Sequence, residues 1–246
     1  MKKNKVKLLE ADLKAVILNR LKQKGLINKR SIIMNELTIG KFARRVDLAI
    51  LINDKLIAFE IKSEADSLRR LESQVNTYLN YFDKVVVVSD SKFFPRIMSL
   101  IPDDVGLWEI ESGRVKVKRR GRLNAKIDNK RLIDFIDVVE LRKLSSKLKV
   151  THERKRRSLE EALLNSPSKD LRASAIATLV RKFKRRSEIF TNKTRNRSIF
   201  ASDLKLLSRF YTQRARNQIN QETSDRFWSN LENLTKELED FASSIS

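Results

Sequence analysis

Two carboxylates and one lysine in the first third of the sequence have the types and the spacing for phosphate chemistry: Asp47, Glu60 and Lys62. Asp47 and Glu60 fall in two apolar, strand-like segments, residues 43–52 and 56–63, which a short polar turn separates. In a hairpin closed by a two-residue turn, Asp47 and Glu60 lie directly opposite each other, with β-carbons about 5 Å apart. Because side chains alternate along a strand, Lys62 points to the same face as Glu60.

Two like charges that face each other in a sheet destabilise it unless a cation lies between them. Oxygen ligands on rigid strands suit Mg²⁺ or Mn²⁺, which also take phosphate oxygens as ligands. A metal-bound water is a better nucleophile, and a nearby lysine can orient that water or stabilise the phosphate. The spacing therefore predicts a metal-dependent site for phosphodiester hydrolysis. The structural alternative is a salt bridge between Asp47 and Lys62, which would leave Glu60 unpaired.

The segments around these residues predict an α/β core followed by a helical region. Helical spacing of apolar residues is found at 6–24, at 66–82 and near 93–100. Strand candidates are residues 32–37, 43–52, 56–63, 84–89, 105–110 and 115–118. From about Asn124 the pattern is helical, with candidate helices at residues 129–148, 157–164, 169–188, 202–219 and 224–244. We therefore predict two domains, 1–122 and 123–246, with a boundary that rests on composition alone.

This order of elements, together with Val46-Asp47, a spacer of twelve residues and then Glu60-Ile61-Lys62, resembles the PD-(D/E)XK nuclease superfamily. In the next predicted helix, Gln74 and Tyr78 resemble the QxxxY motif of RecB-type members. The stretch from Phe59 to Gln74 is similar to a family of small, uncharacterised bacterial and phage members of that superfamily. The resemblance covers roughly residues 5–120. It implies a restriction-endonuclease-like α-β-β-β-α-β core with a mixed sheet.

The resemblance also implies roles for individual residues. The implied catalytic residues are Asp47, Glu60, Lys62 and Gln74. The implied ligands of Mg²⁺ or Mn²⁺ are Asp47, Glu60 and Ile61. An acid of the first helix often completes such a site, and we take Glu10 as that ligand, with Asp12 and Glu36 as alternatives that the sequence leaves open.

The charge of the chain predicts a polyanionic partner. The net charge is +22, and residues 113–157 alone carry 17 basic and 5 acidic side chains. Dense basic runs bind phosphates without reading sequence, so we expect DNA as the partner, with RNA as the alternative. The expected nucleic-acid contacts are Arg44, Arg45, Arg69, Arg70, Tyr78, Lys116, Lys118, Arg119, Arg120 and Arg122.

The composition excludes several classes of protein. The chain has no cysteine and a single histidine, His152, so a disulfide framework, a thiolate zinc site or a histidine-based triad is not expected. Its apolar runs are far shorter than the ~20 residues of a membrane span, and its N-terminus lacks an apolar signal core. We therefore expect a cytoplasmic protein without a membrane partner.

The main functional prediction is a Mg²⁺-dependent deoxyribonuclease. The alternative is a catalytically inactive protein with a nuclease fold, which binds nucleic acid or another partner in a regulatory or phage-defence role. The last predicted helix carries an apolar seam, which packs on its own domain or pairs two chains in a homodimer.

Overall fold

A computed structural model describes residues 8–40, 44–124, 127–150, 155–208, 211, 221 and 223–231. Six strands form one sheet in the order β1-β2-β3-β4-β5-β6. They are β1 (Ile32–Ile39), β2 (Arg44–Ile52), β3 (Lys55–Lys62), β4 (Lys84–Asp90), β5 (Gly106–Glu111) and β6 (Arg114–Arg119). β3, β4 and β5 are mutually parallel and the other neighbours are antiparallel. The predicted mixed α/β class is therefore confirmed.

Helices precede, interrupt and follow the sheet in the order that the sequence predicts. They are α1 (Glu10–Gln23), α2 (Leu71–Leu79), α3 (Phe94–Leu100), α4 (Asn129–Phe135), α5 (Val138–Leu148), α6 (Arg156–Leu163) and α7 (Ser168–Thr194), with 3₁₀ turns at Ser91–Phe93 and Ala201–Leu207. The single helix predicted over 129–148 is two helices, because Asp137 starts a new one by accepting a hydrogen bond from the Glu140 N–H. α2 begins later than predicted, because Asp66 accepts hydrogen bonds from the Ser63 N–H and Oγ and closes a turn there.

The β2–β3 hairpin has the register that its sequence predicts. Pairing starts at Ile52 opposite Lys55 and continues without a shift as far as Leu48 opposite Phe59. Asn53 and Asp54 form the turn with φ angles of 47° and 59°. A two-residue type I′ turn requires this left-handed conformation at both positions, and Asn and Asp tolerate it.

One hydrophobic core joins the sheet to helices on both sides of the predicted domain boundary. Buried side chains of β1 to β5 and of α2 to α7 belong to a single cluster. The chain divides elsewhere: Met1–Leu207 form one compact unit and Ser208–Ser246 form another. The predicted boundary near residue 122 lies inside the first unit, because the helices that follow it bury their apolar faces against the sheet.

The second unit is described in part. Residues 223–231 are helical, as the sequence predicts. Within this helix the rings of Phe227 and Trp228 meet edge to face, with centroids 5.5 Å apart. Most of the predicted helix 202–219 and the end of the apolar seam expected to pair two chains lie outside the described residues, so the homodimer stays a prediction.

A buried ion pair ties the hairpin to α7. Asp83 Oδ2 accepts a hydrogen bond from the Leu56 N–H over 2.7 Å and one from Arg172 Nη2 over 2.7 Å. Arg172 also donates to the Asp54 carbonyl. Asp83 is 4% exposed, so its charge has little help from water and depends on these donors.

Removing this carboxylate should destabilise the whole first unit. Asp83→Ala leaves the Leu56 N–H unpaired and Arg172 without its counter-charge, so we expect the free energy of unfolding to fall by about 2–4 kcal/mol in urea melts. Lys147→Ala is the control, because its ion pair with Asp170 lies at the surface and should contribute less than about 1 kcal/mol. Equal effects of the two substitutions would contradict the structural role of Asp83.

Candidate functional site

Asp47, Glu60 and Lys62, here called the acid–lysine cluster, lie at one edge of the sheet. Because β2 runs antiparallel to β3, the start of β2 and the end of β3 meet there. Regular β2–β3 pairing stops one step before Asp47 and Glu60. Beyond that point the Ile61 N–H donates to Asp47 Oδ2 over 2.8 Å. The hairpin register thus brings the two predicted carboxylates to the same place.

Glu60 is the most deeply buried member, at 1% exposure. Lys62 Nζ lies 2.8 Å from Glu60 Oε1 and forms an ion pair with it. The two groups are not aligned for a hydrogen bond, so Oε1 has the lysine charge beside it but no hydrogen-bond partner. The lysine therefore pairs with Glu60, and the Asp47–Lys62 salt bridge considered from the sequence is not the one that forms.

Tyr78 of α2 orients the other oxygen of Glu60. Its hydroxyl lies 2.9 Å from Glu60 Oε2 and 3.0 Å from the Arg45 carbonyl. It has one hydrogen, and a carboxylate is a stronger acceptor than a backbone carbonyl. Burial, followed by the charge of Glu60, raises the pKa of Tyr78, so the hydroxyl stays protonated. Because its hydroxyl is already held by Glu60, the structure gives Tyr78 a positioning role in place of the predicted contact with nucleic acid.

Gln74 fixes the lysine. Its Oε1 accepts a hydrogen bond from Lys62 Nζ over 3.1 Å. Gln74 and Tyr78 lie one turn apart on α2, so both reach the cluster from the same side of the helix. The sequence predicted that these two residues share a helix face, and the structure confirms it.

Asp47 carries the main electrostatic strain of the cluster. Burial, and next the charge of Glu60, raise the pKa of Asp47 from 3.8 to about 7, although the hydrogen bond from Ile61 opposes this. Without a cation, Asp47 is therefore partly protonated near neutral pH.

α1 brings a further carboxylate and a second lysine to the cluster. Glu10 Oε1 lies 2.6 Å from Lys14 Nζ, one turn along the helix. Lys14 is 3% exposed and also donates to Asn35 Oδ1 of β1 over 2.9 Å. The charges of Glu10 and Lys14 both act on Asp47, and the predicted role of Glu10 as a metal ligand stays a prediction.

The two alternative acids have other roles. Asp12 accepts a hydrogen bond from the Leu9 N–H over 3.0 Å and so caps α1. Glu36 is exposed, and its Oε2 lies 3.4 Å from Arg45 Nη1. Its φ of 58° interrupts the pairing opposite Asp47. The geometry thus favours a surface carboxylate for Glu36.

Lys14 and Asn35 are polar residues of α1 and β1 near the cluster that the sequence did not predict as part of the site. The spacing of Glu10 and Lys14 signals a helical ion pair. Nothing in the spacing brings Asn35 of β1 against α1, since that contact depends on the packing of the helix on the sheet.

The predicted basic contacts separate into tethered and exposed side chains. Arg119 is a structural residue, because its guanidinium bonds Asp103 Oδ1 and the carbonyls of Pro102 and Val105. Lys116 and Lys118 pair with acids of β5, and Arg44 donates to Ser73 Oγ. Lys116 and Lys118 are nevertheless exposed, as is Arg45, which meets Glu36; the other exposed side chains of the set are Arg69, Arg70, Arg120 and Arg122.

Comparison with known proteins decides the family. The family described as Bacteriophage P4 protein cII matches residues 3–208. The chain belongs to this family. Protein cII of Enterobacteria phage P4 is 31% identical over 209 residues, which are 82% of this chain and 78% of that protein. A protein of unknown function from Silicibacter pomeroyi superposes with a TM-score of 0.40 at 18% identity, over 57% of this chain and 92% of that chain, a likeness too low to support an argument.

The acid–lysine cluster of this cII-family chain fits a cation in part. The buried Glu60 Oε1 without a hydrogen bond and the strain on Asp47 both favour one. Among the residues described here, however, no group of three or more His, Cys, Asp or Glu side chains is arranged to hold a metal ion. Ile61 offers only its backbone carbonyl, so a cation at the cluster would depend on water or phosphate oxygens for its other ligands.

The helices of this cII-family chain were also compared with the length of a membrane span. In the described part of the chain, none is long and apolar enough to cross a bilayer.

The raised pKa of Asp47 predicts a pH dependence of stability. A carboxyl whose pKa is higher in the folded state binds its proton more tightly there than in the unfolded chain. The contribution of Asp47 to the free energy of unfolding should therefore fall as pH rises from 3.8 towards about 7, by at most about 4 kcal/mol.

Asp47→Asn keeps an acceptor for the Ile61 N–H and removes the charge. In urea melts with EDTA, this variant should be more stable than the parent chain above pH 7, and the difference should shrink towards pH 4. Glu72→Gln, an exposed carboxyl of α2, is the matched control. Parallel pH curves for Asp47→Asn and the parent chain would contradict the assignment.

Proposed function

We propose that this cII-family chain binds nucleic acid, with DNA as the preferred partner, and acts in the cytoplasm in a regulatory or phage-defence role. The observation that carries the proposal is the acid–lysine cluster at one sheet edge, with Glu60 and Lys62 buried. The exposed Arg69 and Arg70 directly precede α2, whose Gln74 binds Lys62. A chain of net charge +22 attracts polyanions over a long range, and guanidinium groups match phosphate geometry.

We also propose that its core is a restriction-endonuclease-like fold of the PD-(D/E)XK type. The order α1, β1, β2, β3, α2, β4 supports this, as do the positions of Asp47, Glu60 and Lys62 at one sheet edge. Binding without cleavage is the leading reading, because Lys62 and Tyr78 both contact Glu60 and compensate its charge from within the protein.

The binding proposal predicts a salt dependence that maps to one edge of the sheet. Arg69→Ser with Arg70→Ser should weaken binding of a labelled DNA and reduce the slope of log affinity against log salt by roughly 1.5–2, since two phosphate contacts are lost. Fluorescence anisotropy over a salt series measures both quantities, with a labelled RNA as the comparison ligand.

The matched control removes the same charge from the opposite edge. Lys29 and Arg30 are exposed and immediately precede β1, whereas the acid–lysine cluster lies at the edge where β1 ends. Lys29→Ser with Arg30→Ser should leave the slope nearly unchanged. Equal slopes for the two double variants would show that net charge alone attracts the nucleic acid.

A second candidate function is Mg²⁺-dependent cleavage of phosphodiester bonds, and the position of the half-buried Asp47 beside the buried Glu60 favours it. In that function Asp47 and Glu60 would hold the cation, Tyr78 would orient Glu60, and Gln74 would position the Lys62 ammonium for the phosphate. A bound divalent cation would stabilise charge on the phosphate and lower the pKa of its water.

Cleavage should require the cation and Glu60. Purified protein with Mg²⁺ should cut at least one labelled DNA form, and EDTA or Glu60→Gln should reduce the rate by at least about 100-fold. Glu109→Gln is the control, because Glu109 is also buried and pairs with a lysine, but on β5. Retained cutting by a chain with both Asp47→Asn and Lys62→Ala would remove these residues from the proposed chemistry.

A further inference from the structure

Buried side-chain atoms without a hydrogen-bond partner concentrate at one place. Among the residues that the structure describes, they are Glu60 Oε1, Ser89 Oγ and Ser91 Oγ. Such atoms are rare in folded proteins, because an unpaired buried polar group loses the hydrogen bonds it makes with water. Glu60 lies near the end of β3 and the two serines at the end of β4. Since β3 and β4 are parallel, all three atoms belong to the same edge of the sheet.

Ser89 is the strand neighbour of Lys62. The two residues are register partners on β3 and β4, where adjacent strands lie about 4.8 Å apart. Ser89 is fully buried. By alternation it shares a face with Val85 and Val87, which contribute to the same core as α2. The hydroxyl therefore lies on the side of the sheet that carries the acid–lysine cluster.

Ser91 extends this position towards the surface. It follows Asp90, the last residue of β4, and opens the 3₁₀ turn Ser91–Phe93. Its Oγ is buried, but the residue as a whole is only half-buried. The pair thus offers an inner and an outer hydroxyl at the carboxyl end of parallel strands, where α/β proteins commonly bind ligands.

The donors at this place, the two serine hydroxyls and the Lys62 ammonium, suit an acceptor-rich anion, whereas Glu60 Oε1 keeps Lys62 as its counter-charge. Each serine hydroxyl has a hydrogen to donate, and the Lys62 ammonium has three donors, of which one goes to Gln74 and one faces Glu60. Tetrahedral phosphate oxygens accept from hydroxyl and ammonium donors together.

We infer that Ser89 and Ser91, with Lys62, form a subsite for a phosphate group of the bound nucleic acid, beside the carboxylates. The inference rests on the proposed function and names the residues that seat one phosphate. It assigns Ser89 and Ser91 to binding, whereas a structural role would have them pair with the protein itself.

Substitution by alanine distinguishes a hydroxyl that binds a ligand from a hydroxyl that stabilises the folded protein. Ser89→Ala removes an unpaired polar atom, so the melting midpoint of the free protein should stay the same or rise. Ser145→Ala is the matched control: Ser145 is 1% exposed, and its Oγ donates to the Val150 carbonyl over 2.8 Å. Its loss should lower the midpoint without changing binding.

Two titrations of the full chain test the subsite. Inorganic phosphate should raise the melting midpoint of the parent chain above a chloride control of equal ionic strength, and Ser89→Ala should abolish this shift. In anisotropy titrations, Ser89→Ala should raise the dissociation constant for a labelled oligonucleotide roughly ten- to a hundred-fold, the effect of one hydrogen bond to a charged group. Ser91→Ala should act in the same direction.

The outcomes separate this inference from the proposed function. If Ser89→Ala lowers the midpoint as Ser145→Ala does and leaves affinity unchanged, the inference is overturned while nucleic-acid binding stands. If the parent chain binds no oligonucleotide, the proposed function fails, and the phosphate titration alone decides the subsite. If phosphate shifts the melting midpoint no more than chloride does, in the parent chain and in every variant, the inferred phosphate subsite is also overturned.

Discussion

Carboxylates on neighbouring strands repel each other, and burial strengthens the repulsion because little water remains to screen it. Asp47 and Glu60 are in this position at the edge where β2 begins and β3 ends. Different groups stabilise the two carboxylates. Lys62 and Tyr78 contact Glu60, and the Ile61 N–H donates to Asp47. The compensation is incomplete, as the raised pKa of Asp47 shows. A group that stays strained in a stable fold is a candidate for binding a ligand that relieves the strain.

Two helices bring polar and charged side chains to the carboxylates at this edge. α2 delivers Gln74 and Tyr78 from one turn of helix, and α1 delivers the ion pair of Glu10 and Lys14. The later helices do not form a separate module, since α4 to α7 share one hydrophobic cluster with the sheet. The basic side chains that the structure describes before Leu207 therefore belong to the same compact unit as the acid–lysine cluster.

Membership in the phage P4 cII family and the chemistry of the edge are compatible. The description of the family and the name of its phage P4 relative state no reaction. The proposed function therefore depends on the geometry of named side chains. Cleavage and binding without cleavage make use of the same residues. They differ in whether Asp47 and Glu60 would also hold a divalent cation, which would supply an activated water. The unpaired Ser89 hydroxyl next to Lys62 fits both functions, since each requires a phosphate at this position.

The sequence by itself determined the order of helices and strands, the hairpin register and the meeting of Asp47 with Glu60. These are local properties, because period-two alternation and a two-residue turn fix which residues face each other. The tertiary structure alone decided the partner of Lys62, the burial of Tyr78, the tether on Arg119 and the contact between Lys14 and Asn35. It also decided that the helices after residue 122 belong to the sheet's own core. Those outcomes depend on which surfaces pack together from segments that are far apart in the sequence. Residue spacing and composition describe only local properties and do not specify those contacts.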